Sequence, residues 1–318
     1  MRRIALVAMG FVLVSALPVL AQRSEDGGRP LRRARAAERL YDYVGVRVIR
    51  AVARSGLEAV ATVAHTKEGF TCVRFTAPPR LAGRVSLRTP EGRVHSWPPR
   101  RQPGAWGAHV PAETGANLDL LLRNYDLVRE GTARVANRET LAYLVRPKHA
   151  GNPSKRIWFD RETGLILRSA RYNWEGKPAS ESEFREIRVA RDLPEAAAQC
   201  RPPAGVKWRS GNRAAASRSS RQIDFQVAKP TYLPLGYQFI GQGTIMLHGR
   251  PAAHLRFGDG LNTISLFEQP GAAPKEFPAT HDVGFSQLAF RRVGEMNVAA
   301  VGDLSREQLQ RILDSLPE

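Results

Sequence analysis

The stretch 156–186 contains the residues that could most readily do chemistry, six acids: Asp160, Glu162, Glu175, Glu181, Glu183 and Glu186. Paired carboxylates can serve as the general acid and general base of a hydrolase. Asp160, however, opens an Asp-x-x-Thr-Gly turn, Glu175 precedes Gly176 in a second turn, and strand-forming residues flank both turns. Carboxylates at such corners face solvent and keep ordinary acidity. The sequence therefore favours a folded ribbon over a catalytic cluster.

Thiols and imidazoles give a weaker indication of chemistry. Cys72 and Cys200 are the only cysteines; in an exported protein they are a disulfide candidate, and two free, buried thiols are the alternative. Metal sites usually need closely spaced ligands, and His248 with His254 is the nearest histidine pair. The histidines otherwise occur singly, at His65, His95, His109, His149 and His281. We therefore expect no metal and no other cofactor.

Common catalytic signatures are absent from the sequence. It contains no G-x-S-x-G, S-x-x-K, H-E-x-x-H or C-x-x-C motif, no Walker loop, and no G-x-G-x-x-G followed by a helix. A lone thiol such as Cys72, without a local motif, is more often packed or bridged than catalytic. The sequence therefore predicts a protein that is not an enzyme.

Charge points to an acidic partner. The 318 residues carry a formal net charge of +18, and a basic surface attracts anionic lipid, lipopolysaccharide or acidic protein segments. Nucleic acid is not expected, because the N-terminus predicts export. A basic surface that is merely solvated is the alternative explanation.

Composition divides the chain into segments. Residues 1–21 combine two arginines with a short apolar run and small residues, which predicts a cleavable signal peptide; after cleavage no membrane span is expected. Residues 22–36 are polar and predict a disordered leader. Residues 201–222 are basic and rich in Pro, Gly and Ser, which predicts a flexible linker between a large domain, 37–200, and a small domain, 223–318.

The large domain is predicted to be mainly antiparallel strands. Short β-branched runs end at Gly and Pro corners between residues 43 and 97, a helix is expected at 114–123 behind Thr114 as its cap, and strands follow near 125–130, 133–136 and 140–146. In the ribbon 156–177, Ile157 and Phe159 should face one side and Trp158 the other. Leu165, Ile166 and Leu167 are apolar on both faces.

A strand that is apolar on both faces needs cover on both. A curved, incompletely closed sheet could provide a lipid-sized pocket on one side; a two-layer core without a void is the alternative. The candidate cavity-lining residues are Trp158, Phe159, Ile166, Tyr172 and Trp174.

The small domain is predicted to be α+β. Strands at 253–257 and 261–267 flank Gly258-Asp259-Gly260, a strong hairpin signal. Near the C-terminus, 296–301 is a predicted strand, and Ser305 and Gln308 form a predicted capping box that opens a helix.

Two segments together resemble the RseB/MucB-type periplasmic regulators, whose large domain is LolA-like. The first is 125–189, in which the corner Val135-Ala136-Asn137-Arg138 precedes WFDRETGLIL, 158–167, with DYVGVRVI, 42–49, similar to the family's first strand. The second is PTYLPLGYQFIG, 230–241, followed by HLRFGDGLNTISLFEQP, 254–270. Asn137 replaces the family's usual corner glycine, and Phe257 stands where tyrosine is common.

The resemblance implies an α+β protein with a large curved antiparallel half-barrel sheet bearing helices, plus a smaller α+β C-terminal domain. It implies periplasmic localisation and binding to the exported segment of a membrane-spanning anti-sigma factor, which shields that factor from proteolysis. Release would follow when the large domain senses lipopolysaccharide or a misplaced lipoprotein. Contact by the small domain gives the partner-binding candidates Arg256, Asp259, Leu261 and Phe267. A LolA-type lipid or lipoprotein carrier is the alternative function.

Overall fold

The structure is a computed structural model that describes residues 28–52, 57–97, 117–201, 209–211, 223–247, 249–271 and 286–317. The predicted signal peptide and most of the predicted linker lie outside these residues. None of the helices in the described ranges combines the length and apolarity that a membrane span requires.

Within the described ranges, the large domain forms one antiparallel sheet of eleven strands. These are β1 (Asp42–Ala51), β2 (Leu57–His65), β3 (Thr71–Ala77), β4 (Val85–Arg88), β5 (Val94–Trp97), β6 (Tyr125–Val135), β7 (Arg138–Pro147), β8 (Ser154–Asp160), β9 (Ile166–Tyr172), β10 (Pro178–Ala190) and β11 (Arg209–Gly211). Their order is β11-β5-β4-β3-β2-β1-β10-β9-β8-β7-β6, so the sheet is open at β11 and β6. Part of the predicted linker thus pairs with β5.

Strand β6 is longer than its sequence suggests. Two separate strands are predicted at 125–130 and 133–136, but one continuous strand pairs with β7 across a register shift between Arg129 and Gly131. Glu130 is the extra residue of this bulge, and Gly131 pairs with Ala142, so the glycine does not end the ladder. At the tip, Ala136 and Asn137 both have positive φ, 49° and 61°. Two-residue hairpin loops need such angles, and asparagine tolerates them, so Asn137 can replace the family's glycine.

Three short helices accompany this sheet: α1 (Arg29–Ala37), α2 (Leu118–Asn124) and α3 (Pro194–Gln199). Helix α1 corrects the predicted disordered leader, because 29–36 are helical. Leu31, Ala34 and Ala37 recur every three residues and are buried, a stripe that the many arginines obscured. Arg33 also donates hydrogen bonds to the carbonyl oxygens of Arg161 and Glu162, at 2.9 and 2.6 Å, which fixes α1 over the β8–β9 turn.

Helix α2 begins later than predicted. Its N-cap is Asn117, whose side-chain oxygen accepts a hydrogen bond from the backbone N–H of Leu120 at 2.9 Å. The predicted cap, Thr114, lies outside the described residues. Leu118 and Leu121 are buried against the sheet as the spacing predicts.

The small domain has a five-stranded antiparallel sheet and one helix in its described part. The strands are β12 (Gln238–Leu247), β13 (Arg250–Gly258), β14 (Thr263–Pro270), β15 (Gln287–Val293) and β16 (Met296–Gly302), and the helix is α4 (Arg306–Asp314). The strand order is β12-β13-β14-β16-β15. The predicted hairpin and helix cap are confirmed: β13 pairs with β14, and Ser305 accepts a hydrogen bond from the Gln308 N–H.

The ribbon of β8 and β9 is apolar on both faces, as predicted. Ile157 and Phe159 pack with α1 and α2, whereas Trp158 belongs to a different cluster. Both faces are therefore covered, and the α+β class with a large antiparallel sheet and a smaller second domain is confirmed.

Candidate functional site at the contact between the two domains

The acid-rich turn between β8 and β9 is structural. Asp160 is 2% exposed; its Oδ2 accepts hydrogen bonds from the backbone N–H and the hydroxyl of Thr163 at 2.8 and 2.6 Å. Arg138 donates to both carboxylate oxygens, at 2.9 and 3.0 Å. Burial alone would raise the pKa of Asp160, but the hydrogen bonds from Arg138 and Thr163 outweigh it and the pKa is lowered. The expectation that Asp160 faces solvent is wrong, yet a carboxylate held ionised in this way is a poor proton donor.

Glu162 shares Arg138 with Asp160 but is exposed, and the remaining four acids do not converge on Asp160. Glu175 follows the opposite end of β9, is exposed and pairs with Lys177 at 3.0 Å. Glu181 and Glu183 form ion pairs with Arg168, and Glu186 is exposed on β10. Their arrangement provides no acid and base across a shared cleft.

Both cysteines are buried free thiols rather than a disulfide. They pack in the cluster beneath α3, where burial raises the pKa of Cys72 and raises that of Cys200 to about 12. Such thiols are weak nucleophiles at neutral pH. Of the two alternatives that the sequence leaves open, the structure therefore has the two free, buried thiols.

Histidines and carboxylates form no metal cluster in the part of the chain that the structure describes. His254 stacks on Phe267, with ring centroids 4.5 Å apart, and bonds to Ser265. His248, its predicted neighbour, lies outside the described residues. His65 is buried between Thr71 and the carbonyl of Glu38, which is a packing role.

The five cavity-lining candidates do not share one wall, which corrects their proposed grouping. Phe159 and Ile166 pack with the helices. Trp158 and Tyr172 belong to the other cluster, where Arg168 lies 4.5 Å from the centre of the Trp158 ring. Trp174 is half-buried in the β9–β10 turn. Successive residues of a strand alternate faces, so Trp158 and Phe159 cannot line the same pocket.

Two of the partner-binding candidates are used within the chain, and this is a second correction. Asp259 is fully buried, and Leu261 packs into the large-domain cluster that contains Phe159 and Ile166. Both lie in the β13–β14 hairpin, whose tip inserts against α2. Arg256 and Phe267 are half-buried on the neighbouring strands.

A buried hydrogen-bond network joins this hairpin to the large domain. The Tyr125 hydroxyl donates to Asp259 Oδ2 at 2.5 Å and accepts from Asn262 Nδ2 at 2.8 Å. Asp259 Oδ1 accepts the backbone N–H groups of Leu261 and Asn262 at 2.9 and 2.6 Å. Asn124 Nδ2 donates to the carbonyl of Asp259 at 2.9 Å. Asn262 Nδ2 also donates to Asp259 Oδ2 at 3.3 Å, so the buried carboxylate accepts four hydrogen bonds, one from the large domain and three from the hairpin.

In the pair of Tyr125 and Asp259, the shared proton stays on the Tyr125 hydroxyl. Burial, followed by the nearby charge of Asp259, raises the Tyr125 pKa far above its ordinary value. The same two causes raise the pKa of the buried Tyr237. A hydrogen bond from a neutral tyrosine to a buried carboxylate is charge-assisted and therefore strong. The arrangement can hold two domains together, but it offers no nucleophile.

The tip of the β13–β14 hairpin lies so close to the backbone of α2 that it requires a glycine. Gly260 has φ +97°, and a Cβ at this position would lie 2.3 Å from the backbone nitrogen of Leu121. Further interdomain contacts are the ion pair of Arg171 with Asp303 and a 3.1 Å hydrogen bond from Asn152 to the carbonyl of Leu235.

Sequence reasoning found the hairpin but assigned its acid to an external partner. It missed Asn124 and Tyr125 entirely. Their position directly behind the apolar face of α2 was the available signal, because polar groups there must find buried partners.

Comparison with known proteins gives sequence relatives. The model of the MucB/RseB N-terminal domain matches residues 77–202. The sigma factor AlgU regulatory protein MucB of Pseudomonas aeruginosa is 26% identical over 60% of this chain and 60% of its own length. The sigma-E factor regulatory protein RseB of Haemophilus influenzae is 25% identical over 65% of this chain and 64% of its own. Each alignment thus spans less than two thirds of the relative.

Solved structures resemble the chain over both domains. The complex of Pseudomonas aeruginosa MucA and MucB matches with a TM-score of 0.69 and 20% identity over 92% of this chain and 98% of that one. MucB alone gives 0.63 and 20% over 93% and 99%. Fold and site define a two-domain protein in which a small sheet domain docks on a large sheet through a buried polar hairpin. The chain is thus similar in sequence to MucB/RseB proteins over part of its length, and similar in fold to MucB over both domains.

Proposed function

We propose that this protein is a non-enzymatic periplasmic regulator that binds the exported segment of an anti-sigma factor. The supporting observation is the similarity to MucB/RseB proteins, together with solved structures in which the similar protein MucB is bound to MucA or to MucA(peri). The scattered, paired carboxylates and the buried thiols agree with a role in binding rather than catalysis.

The surface that fits such a partner is the outer face of the small sheet. Helix α4 packs on the opposite face, where it buries Leu255 and Leu266. Arg256 and Phe267 lie on the alternate residues of β13 and β14, beside the stacked ring of His254. An arginine beside partly exposed aromatic rings suits an acidic segment with apolar anchors. Arg256 and Phe267 thus remain proposed contacts, whereas Asp259 and Leu261 are withdrawn.

Regulation would act through the contact between the domains. The net charge of +18 attracts an anionic amphiphile such as lipopolysaccharide or an acylated lipoprotein to the large domain. If the amphiphile favours an arrangement with the Tyr125–Asp259 bond broken, and the anti-sigma segment favours the bond intact, each ligand weakens the other by the same factor. Bound anti-sigma factor would be shielded from proteolysis until the amphiphile releases it.

The decisive experiment measures binding of the mature chain to the exported segment of the anti-sigma factor from the same organism by titration calorimetry. We expect saturable one-to-one binding that lipopolysaccharide weakens. Absence of binding in a folded sample would refute the proposed function. Binding that lipopolysaccharide leaves unchanged would refute only the sensing step.

The LolA-type carrier makes a different prediction. A carrier isolated from cells should retain an acyl-chain ligand in native mass spectrometry and should not bind the anti-sigma segment. Those two results together would favour the carrier function over the regulator function.

A further inference from the structure

Exposed apolar side chains are concentrated at one corner of the small domain. Nine large apolar side chains are exposed among the described residues, and three of them, Leu235, Phe239 and Ile240, lie within six positions of one another. Leu235 is 72% exposed, the largest value of the nine, and Phe239 and Ile240 are each 44% exposed. Single exposed apolar residues are ordinary, whereas a group of them marks an interaction surface.

The turn that carries Leu235 is held firmly by the large domain. Asn152 Nδ2 donates to the carbonyl of Leu235 at 3.1 Å, and Asn124 Nδ2 donates to the carbonyl of Gly236 at 2.9 Å. Tyr237, the next residue, is buried in the core of the small domain. The exposure of the Leu235 side chain is therefore a property of a fixed turn, which presents it to solvent.

Phe239 and Ile240 lie on opposite faces of β12, the outermost strand of the small sheet. Phe239 pairs with Phe257, and the two ring centroids are 5.8 Å apart on the face that α4 covers. Ile240 falls at the register shift of β12, and its Cδ1 lies 3.0 Å from where a Cβ on Gly258 would be. Because neighbouring residues of a strand face opposite sides, that position points away from Phe257. The two exposed side chains therefore straddle the border of the sheet.

A bilayer surface suits this corner better than a folded protein does. The apolar side chains project to both sides of one border, so a rigid partner would need a cleft shaped to enclose it. The fluid interface of a membrane instead closes around any projecting apolar side chain. A second copy of this chain would bring its own formal charge of +18 to the contact and be repelled.

The charges at this corner select an anionic bilayer. From residue 225 to residue 258 the chain contains two arginines and a lysine but no aspartate or glutamate. Lys229 Nζ lies 4.9 Å from the centre of the Phe239 ring. Arg256 Nη2 lies 2.9 Å from where a Cβ on Gly241 would be, which places it next to the register shift. Each exposed side chain of β12 thus has a basic group beside it, an arrangement that favours anionic headgroups.

We propose that the corner formed by Leu235, Phe239 and Ile240 is a membrane-contact site, at which these three side chains enter the interface of a bilayer that contains anionic phospholipid. Lys229 and Arg256 bind the headgroups around them. The contact is peripheral and reversible, because three side chains bury little apolar area. It goes beyond the proposed function and does not depend on it, since it needs no anti-sigma segment.

Co-sedimentation of the full mature chain with lipid vesicles tests the site. The wild type should bind vesicles of phosphatidylethanolamine and phosphatidylglycerol, less so as salt increases, and should bind vesicles of phosphatidylcholine alone much more weakly. Leu235→Gln combined with Ile240→Gln should lower the partition coefficient at least about tenfold, because two apolar anchors are lost. Lys229→Gln should lower it roughly fivefold on the anionic vesicles.

The matched control is Leu40→Gln combined with Val52→Gln. Both replace exposed aliphatic side chains of the large domain, which are 55% and 47% exposed, and this variant should bind vesicles like the wild type. Hydrogen exchange on the wild type makes the test independent of the variants. Amides of 235–241 should gain protection when anionic vesicles are added, and those of β15 should not.

No binding of the wild type to anionic vesicles would overturn the membrane contact, and so would equal partition of the wild type and the Leu235→Gln, Ile240→Gln variant. If that variant loses affinity for the exported anti-sigma segment while its vesicle binding is unchanged, the corner belongs to the protein partner instead. Equal binding to phosphatidylcholine vesicles would overturn the selection of anionic lipid. None of these results decides the proposed function, which depends on the calorimetric titration of the wild type.

Discussion

Glu268 should make the stability of the small domain depend on pH. Its side chain is buried on β14, and Oε2 accepts a hydrogen bond from the Ala228 N–H at 3.0 Å. Oε1 has no hydrogen-bond partner among the described residues. Burial disfavours the charged form more than the Ala228 N–H favours it, so the pKa of Glu268 is raised from 4.5 to about 7.

The raised pKa of Glu268 determines that the stability of the small domain falls as pH rises. Between pH 4.5 and about 7 the folded protein holds a proton at Glu268 that the unfolded chain has released, so the stabilisation is complete below pH 4.5 and is lost as pH rises through about 7. At 1.36 kcal/mol for each pKa unit, the loss is at most about 3 kcal/mol. Glu268→Gln stays neutral and keeps an oxygen to accept the Ala228 N–H. It should be within about 1 kcal/mol of the wild type at pH 5 and more stable by up to about 3 kcal/mol at pH 8.

Urea unfolding at pH 5, 6, 7 and 8, with hydrogen exchange of the β13–β14 amides as the signal, measures this difference. All five tryptophans lie outside the small domain, so their fluorescence follows the rest of the chain and provides an internal reference. Glu295→Gln, at an exposed carboxyl of the same domain, is the control and should retain the wild-type pH profile. Parallel stability of wild type and Glu268→Gln across the four pH values would refute the reasoning.

Three further changes test the domain contact, the acid-rich turn and the thiols. Tyr125→Phe leaves the buried carboxylate short of a donor and should destabilise docking by roughly 1–3 kcal/mol, seen as faster exchange of the hairpin amides. Arg138→Gln strips the buried Asp160 of its cation and should lower the free energy of unfolding by roughly 3 kcal/mol. A thiol reagent should modify neither Cys72 nor Cys200 in the native protein and both in urea.

These tests have matched controls and outcomes that would contradict them. Tyr232→Phe, whose ring lies under Arg311, should leave hairpin exchange unchanged. Arg161→Gln breaks an exposed ion pair with Glu139 and should cost less than about 1 kcal/mol. If docking of the two domains is unchanged in Tyr125→Phe, the hydrogen-bond network around Asp259 does not control the proposed regulation. Unreactive thiols in non-reducing urea would show that a disulfide forms in the isolated protein.

Local patterns predicted much of the fold. The β13–β14 hairpin follows from Gly258-Asp259-Gly260, the start of α4 from Ser305 and Gln308, and the two-sided ribbon from alternation of apolar residues. Each depends on residues within a few positions of one another. Helix α1 escaped prediction because arginines dominate its composition, and its folding depends on the distant surface that buries Leu31 and Ala34.

The candidate site was predicted less well than the fold. A sequence shows that Asp259 is acidic and at a turn, but it does not show which surface that turn meets. Whether a carboxylate is exposed for a partner or buried against a tyrosine depends on how two domains pack.

The sequence by itself determined the α+β class, the β13–β14 hairpin, the cap of α4 and the lack of catalytic motifs, because these depend on composition and on short-range spacing. Tertiary structure alone decided that Asp160 is locked by Arg138, that β12 forms an edge, and that Asp259 meets Tyr125. That last pair is 134 residues apart along the chain. Contacts of this kind are fixed by packing of whole domains, because no local preference brings such distant groups within hydrogen-bonding distance.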